Sequence, residues 1–195
     1  MKTLPRLLQN IRQCRICEEH LPQEPNPVVR VQSTARLLIT SQAPSTQVHQ
    51  TGLPFNDASG DRLRDWLGLN REQFYDETKI AFMPMGFCYP GRDCKGGDLP
   101  PRKECAPLWH SQLLAFLPNV EWVLLVGRYA QLYYLGKSVK NTTTETVFCW
   151  QEYGPRFTPL PHPSWRNTAW LQKNPWFQKD ILPFLKTRIH HLFKA

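Results

Sequence analysis

Nowhere in this chain do apolar residues run unbroken for the ~20 positions that a membrane-spanning helix needs. The most apolar stretch, Trp122 to Gly127, has the length of a strand. The opening residues, MKTLPRLLQNIRQC, lack both a sustained apolar segment and a small-residue cleavage site. They read as an amphipathic helix and not as a secretory signal. Internal repeats and low-complexity linkers are also missing, which excludes a stacked-repeat or tethered-array architecture. Acidic residues are scarce, 16 against 24 Lys and Arg, for a net charge of +8 and a pI near 9.3. That imbalance favours an anionic partner, nucleic acid first; the lack of a spanning run leaves no membrane expected.

What is present suits one domain. A chain of 195 residues buries a sizeable core, and 41% hydrophobic against 21% charged residues is a soluble, globular balance. Seven Trp and ten Phe are interleaved with Arg and Lys, so those not in the core offer stacking platforms for bases. Six cysteines without a secretory signal point to a reduced, cytoplasmic setting in which thiols are ligands or inert core.

Strand-like and helix-like segments alternate along the chain. Residues 3–13 are helical, with Leu4, Leu7, Leu8 and Ile11 on one stripe, and the Pro-rich segment 21–27 is extended. Buried strands are predicted at 35–40, 80–83, 120–127 and 157–160. Helices are predicted at 60–68, 71–76, 105–116, 128–135, 145–150 and 175–193, the last kinked or interrupted at Pro183. This alternation predicts a three-layer α/β/α domain over 1–195 with a mostly parallel sheet of about four strands.

Between the first strand and the next helix lies Ser41–Gly60, SQAPSTQVHQTGLPFNDASG, read as one long irregular loop beyond a strand end, where α/β proteins place ligands. Asp57 or Ser59 is its helix-capping residue. A second irregular stretch, 84–101, carries the basic cluster Arg92, Lys95, Arg102 and Lys103 at and just beyond it. The pair Cys14/Cys17, together with Cys88 and Cys105, makes a set of four thiolate ligands for an iron–sulfur cluster or zinc, with His20 and Cys94 as substitutes. Cys149 reads as a core residue.

Five separated motifs occur in one order: Cys14/Cys17, Ser41-Gln42-Ala43-Pro44-Ser45, Gly52-Leu53-Pro54-Phe55, Cys88/Cys105 and His162-Pro163-Ser164. In this the chain resembles the uracil-DNA glycosylase superfamily, most closely its iron–sulfur family 4. The resemblance implies a monomeric DNA-repair enzyme that flips a damaged base from the duplex and hydrolyses its N-glycosidic bond. It implies a 4Fe–4S cluster on Cys14, Cys17, Cys88 and Cys105, with zinc as the alternative. Phe55 then stacks on the base and the backbone around Ala43 reads its edge. His162 stabilises charge on the leaving base, and Gln42 occupies the water-positioning place. Ser59, Ser164, Trp165 and Arg166 contact DNA.

Four positions depart from the family 4 pattern, two of them Ser41 and Ser45, which replace glycines and narrow close backbone approach to a ligand. Gln42 stands where that family has glutamate, and an amide orients a water but takes no proton. Pro84 stands where a uracil-reading asparagine is expected. The resemblance thus implies weakened or altered hydrolysis and a base other than uracil alone. A non-catalytic DNA- or RNA-binding module, and more remotely a CxxC redox or metal sensor, are the competing expectations.

Overall fold

The runs read as strands pair side by side in the computed structural model, which describes residues 3–94 and 96–194. They are β1 (Leu37–Thr40), β2 (Ile80–Phe82), β3 (Trp122–Val126) and β4 (Phe157–Leu160). Their spatial order is β2-β1-β3-β4, and every pairing is parallel. Leu37 lies opposite Ile80 on one side and Trp122 on the other, and Val123 lies opposite Phe157. Parallel strands require crossovers, and crossover helices cover both faces of the sheet. Every residue of β1, β2 and β3 is accordingly buried.

The crossovers are α1 (Leu4–Arg12) before β1, then α2 (Thr46–Thr51), α3 (Ala58–Leu67) and α4 (Arg71–Phe74) between β1 and β2. α5 (Cys105–Leu114) leads into β3, and α6 (Arg128–Leu135) and α7 (Thr143–Phe148) lead into β4. α8 (Thr168–Lys173) and α9 (Leu182–Lys194) close the chain. Because side chains alternate along a strand, the sheet feeds two cores. Leu37, Ile39, Phe82, Trp122 and Leu124 meet Leu63, Trp66, Phe177, Ile181 and Leu185. Leu38, Ala81, Val123 and Leu125 meet Leu7, Ile11, Ala106, Leu113 and Ala130 on the opposite face. The expected three-layer domain is the one observed.

Two segments differ from their sequence reading. The long loop is not irregular throughout: Ser45 accepts the Val48 N–H and starts α2, and Gly52, in the left-handed region at φ 65°, ends it. Near the C-terminus, helix resumes at residue 175, and the interruption expected at Pro183 lies just ahead of it, as a π-helical stretch, Phe177–Ile181, directly before α9. That register keeps Phe177, Ile181 and Leu185 on one core. Cys149, read as core, caps the end of α7 half-buried.

A buried polar bond ties the edge strand β4 to β3. Trp122 Nε1 donates to Thr158 Oγ1 at 2.9 Å between β3 and β4, with both residues buried. Thr158→Val removes the acceptor and strands a buried N–H. It is expected to lower unfolding stability by about 1–3 kcal/mol in urea titrations, and a change under about 0.5 kcal/mol would contradict that role for the bond.

Candidate functional site

β1 is followed in sequence by β2 on one side, while β3 lies on its other side, so the sheet has a switch point beside β1. Crevices open at the carboxyl ends of strands at such points. A cleft of about 520 Å³ lies there, the size of a small-molecule or single-base pocket. Its walls come from the residues just after β1 (Ser41–Pro44), after β2 (Pro84) and after β4 (His162). Pairing continues briefly past the strands, with Met85 N–H donating to the Ser41 carbonyl at 2.8 Å and Gly86 N–H to the Gln42 carbonyl at 3.0 Å.

Phe55 lines the cleft from a backbone that costs energy to hold, a non-glycine residue at φ 54°. Its ring packs edge-on to Phe74 at 6.2 Å and tilted to Phe82 at 6.1 Å. The neighbouring Pro54 carbonyl accepts the Tyr75 hydroxyl at 2.9 Å. α3 begins so close that a Cβ on Gly60 would sit 1.7 Å from the Phe55 carbonyl oxygen, so only glycine fits there. Asp57 joins the pieces. It caps α3 by accepting Gly60 N–H at 3.0 Å, and it accepts the Ser45 hydroxyl at 2.7 Å. Ser59 therefore sits in the first turn of α3 and Asp57 is the cap.

His162 follows β4, whose last carbonyl, on Leu160, accepts from buried Gln131 Nε2 at 2.9 Å. Ser164 N–H donates to His162 Nδ1 at 3.3 Å, and Asn167 Nδ2 donates to the His162 carbonyl at 2.7 Å. With Nδ1 accepting, the ring proton belongs on Nε2. Burial lowers the imidazole pKa, against a smaller opposing pull from Asp57, so the ring is neutral at neutral pH. It presents an uncharged N–H donor. Gly127, at φ 85° beside it, is a glycine for its backbone: a Cβ there would meet the His162 Cβ at an ordinary 3.6 Å, but the left-handed conformation strains any other residue.

The loop after His162 is held from α3: Arg62 donates to the Ser164 carbonyl at 2.8 Å and to Thr168 Oγ1 at 3.3 Å. Trp165 projects with 71% of its surface exposed. Arg166 stacks over it at 4.9 Å and donates to the Gly96 carbonyl at 2.8 Å.

Gln42 uses its amide nitrogen to reach the carbonyls of Leu99 at 2.9 Å and Asp98 at 3.4 Å, which leaves Oε1 as its acceptor. Pro84 is braced from below by His110. The Pro84 carbonyl is 2.9 Å from His110 Nε2 and can only accept, so Nδ1 takes the Tyr134 hydroxyl proton at 2.8 Å.

Cys14, Cys17, Cys88 and Cys105 line a second cavity, walled by Ile11, Ile16, Phe87, Leu108 and Trp109. Phe87 N–H points at Cys105 Sγ at 3.3 Å. Burial pushes the Cys88 thiol up to about 11 and Cys105 up to about 12, and it raises Cys17 against a hydrogen bond from Arg102. Thiolates here require a cation. Among the described residues no group of three His, Cys, Asp or Glu side chains is placed to hold a metal ion. Cys94 is exposed, and neither it nor His20 reaches this cavity.

Gln42, Ala43, Phe55, Ser59, His162, Ser164, Trp165 and Arg166 all line the first cleft. The basic cluster divides: Arg92 lines that cleft, while Arg102 pairs with Glu104 at 3.0 Å beside the cysteines. Lys95 lies outside the described residues. Sequence reasoning missed Asp98 in the cleft wall, hidden in a stretch read only as basic. It also missed Arg62 and His110, whose roles depend on partners far along the chain. A strand-to-helix turn at Gly127-Arg128 was the available signal for the glycine beside His162.

A parallel sheet ordered 2-1-3-4 with a polar and aromatic cleft at its carboxyl edge defines an α/β protein with its cleft at the switch point. The family model of the uracil DNA glycosylase superfamily matches residues 29–186. The chain belongs to that superfamily. Cys14 and Cys17 lie ahead of the matched region. Among solved structures the chain is similar to the solution structure of a candidate uracil DNA glycosylase from Methanosarcina acetivorans, with 17% identity, 83% of this chain and 93% of that one covered, and a TM-score of 0.48. No helix among the described residues is long and apolar enough to cross a membrane.

His110 makes the cleft floor acid-sensitive. Burial lowers its pKa to about 4, against ~6.5 in an unfolded chain. Above pH ~6.5 both states are neutral and nothing depends on pH; below it the unfolded chain takes a proton that the folded one refuses. Stability is therefore expected to fall, by up to roughly 3 kcal/mol from this group, as pH drops from about 6.5 to 4. Urea midpoints across that window should fall more steeply in the wild type than in His110→Gln, which keeps only the contribution of other groups such as His162. Equal slopes in both would contradict it.

Proposed function

We propose that this chain is a DNA glycosylase that hydrolyses the N-glycosidic bond of a flipped-out, deaminated or otherwise modified base. The observation that carries the reading is one cleft that gathers the Phe55 ring, the Nε2–H of a neutral His162 and the free acceptor of Gln42. A base turned out of the duplex stacks on Phe55 while backbone groups around Ala43 meet its edge. His162 donates to a base carbonyl. As the bond from C1′ to the base nitrogen breaks, negative charge gathers on that oxygen, and a positioned donor in a desolvated cleft stabilises it. Gln42 Oε1 accepts a hydrogen bond from the attacking water. Trp165 fills the vacated stack, Arg166 exchanges the Gly96 carbonyl for phosphate, and Ser59 and Ser164 add phosphate contacts.

Pro84 offers the base no side-chain donor or acceptor, so uracil is not singled out as in family 4. That favours a base read by shape, by backbone and by His162.

The four cysteines fit a 4Fe–4S cluster by donor chemistry, by their apolar enclosure and by the N–H directed at Cys105 Sγ. Bound there, a cluster supplies the cation that thiolates need and ties the N-terminal segment to the chain around Cys88 and Cys105. Thiol ligands in that number also suit a reduced, cytoplasmic setting.

The test is a panel of oligonucleotides carrying uracil, hypoxanthine or other single lesions, incubated with iron-containing protein and then cleaved with alkali at abasic sites. At least one lesion is expected to be excised, with His162→Ala at least about 10²-fold slower and DNA still bound. Binding without excision of any base, weakened by His162→Ala, would establish a recognition module instead. Colourless, zinc-containing protein would overturn the cluster.

A further inference from the structure

Hydrolysis of an N-glycosidic bond needs a place for the water proton, and Gln42 cannot supply one. Three carboxylates line the cleft: Asp57, Asp93 and Asp98. Asp57 is committed through both oxygens, one to Gly60 N–H and the other to the Ser45 hydroxyl. Asp93 Oδ1 takes the Gly97 N–H at 2.7 Å inside its own loop. Asp98 differs: among the described residues its carboxylate accepts no hydrogen bond, its ion pair with Arg92 Nε is long at 3.8 Å, and 43% of its side-chain surface is open.

The backbone fixes where Asp98 stands. Residues 91–93 pair with 97–99 as the two arms of a hairpin, with Arg92 bridged to Asp98, Leu99 N–H on the Gly91 carbonyl at 2.9 Å and Asp93 N–H on the Gly97 carbonyl at 2.7 Å. Gln42 Nε2 grips the hairpin through the carbonyls of Asp98 and Leu99. The residue in the water-positioning place thus holds, by its own side chain, the backbone of the uncommitted carboxylate.

We propose that Asp98 is a catalytic residue of this chain, the carboxylate that accepts the proton of the water oriented by Gln42; this rests on the glycosylase reading above. The water oxygen bonds to C1′ as the bond from C1′ to the base nitrogen breaks. The electron pair leaves with the base, whose charge His162 stabilises, and the water proton passes to Asp98 and then to solvent. The work that a glutamate does alone in family 4 is divided here between an amide and a carboxylate from another loop. Asp98 is faced by Arg92 and Asp93 from its hairpin, by Asp57 from the start of α3 and by Arg166 from the turn after His162. Burial outweighs the two arginines and raises its pKa, which suits a proton acceptor.

The experiment is single-turnover excision of the best lesion from the panel, for wild type, Asp98→Asn and the double variant Asp98→Asn with Gln42→Glu. Asp98→Asn is expected to lose about 10²-fold in rate with DNA affinity unchanged. It is also expected to lose the rise of rate with pH that marks carboxylate ionisation. Gln42→Glu should restore most of the loss, which a merely structural Asp98 would not allow. A rate for Asp98→Asn within about threefold of wild type overturns the role of Asp98 and leaves the glycosylase reading standing. A loss that comes with weakened DNA binding and that Gln42→Glu does not repair makes Asp98 a brace, and also overturns it. No excision by wild type defeats the glycosylase reading first and this proposal with it.

Discussion

Four parallel strands must all end on the same side, and every feature of the cleft follows from that geometric constraint. Helices cover both faces of the sheet, so the strands spend their side chains on two cores. Only the residues just past the strand ends are released to face a ligand. Gln42, Pro84 and His162 occupy those positions after β1, β2 and β4. Their separation along the chain, more than a hundred residues from first to last, is cancelled by strand pairing alone. The hydrogen bonds that continue past β1 and β2, at Met85 and Gly86, extend the same order into the cleft wall.

Close approach is the second constraint. Gly60 lets α3 begin against the Phe55 carbonyl, while Gly127 supplies the left-handed backbone beside His162. The chain accepts an unfavourable backbone at Phe55 to set the ring there. It surrounds that backbone with the Asp57 and Ser45 bonds and the Tyr75 hydroxyl.

The sheet was legible because β1, β2, β3 and β4 are short apolar runs separated by helical patterns, and parallel burial leaves little else for such runs to be. The contact residues around the cleft were legible because they sit in ordered motifs. What escaped was set by capping inside an irregular-looking stretch or by long-range contact. α2 depends on Ser45 and Gly52 within a stretch whose prolines and glycines read as irregular. The π-helical stretch before Pro183 depends on keeping Phe177 and Ile181 on a distant core. Asp98 is one acidic residue among lysines and arginines, and only its hairpin and Gln42 bring it to the cleft. Arg102, counted with the basic surface, turns to Glu104 beside the cysteines. Net charge does not say which charges face a partner.

At the centre stands an uncharged imidazole at the end of β4, with its Nδ1 occupied by Ser164 N–H and its proton on Nε2. Long-range ¹H–¹⁵N NMR of the histidines, with His162→Gln to assign the signal, reads this directly. The expected spectrum at neutral pH is that of the neutral Nε2–H tautomer, with the Nε2–H resonance moving on addition of DNA that carries the excised lesion. An imidazolium, or a proton on Nδ1, would contradict it.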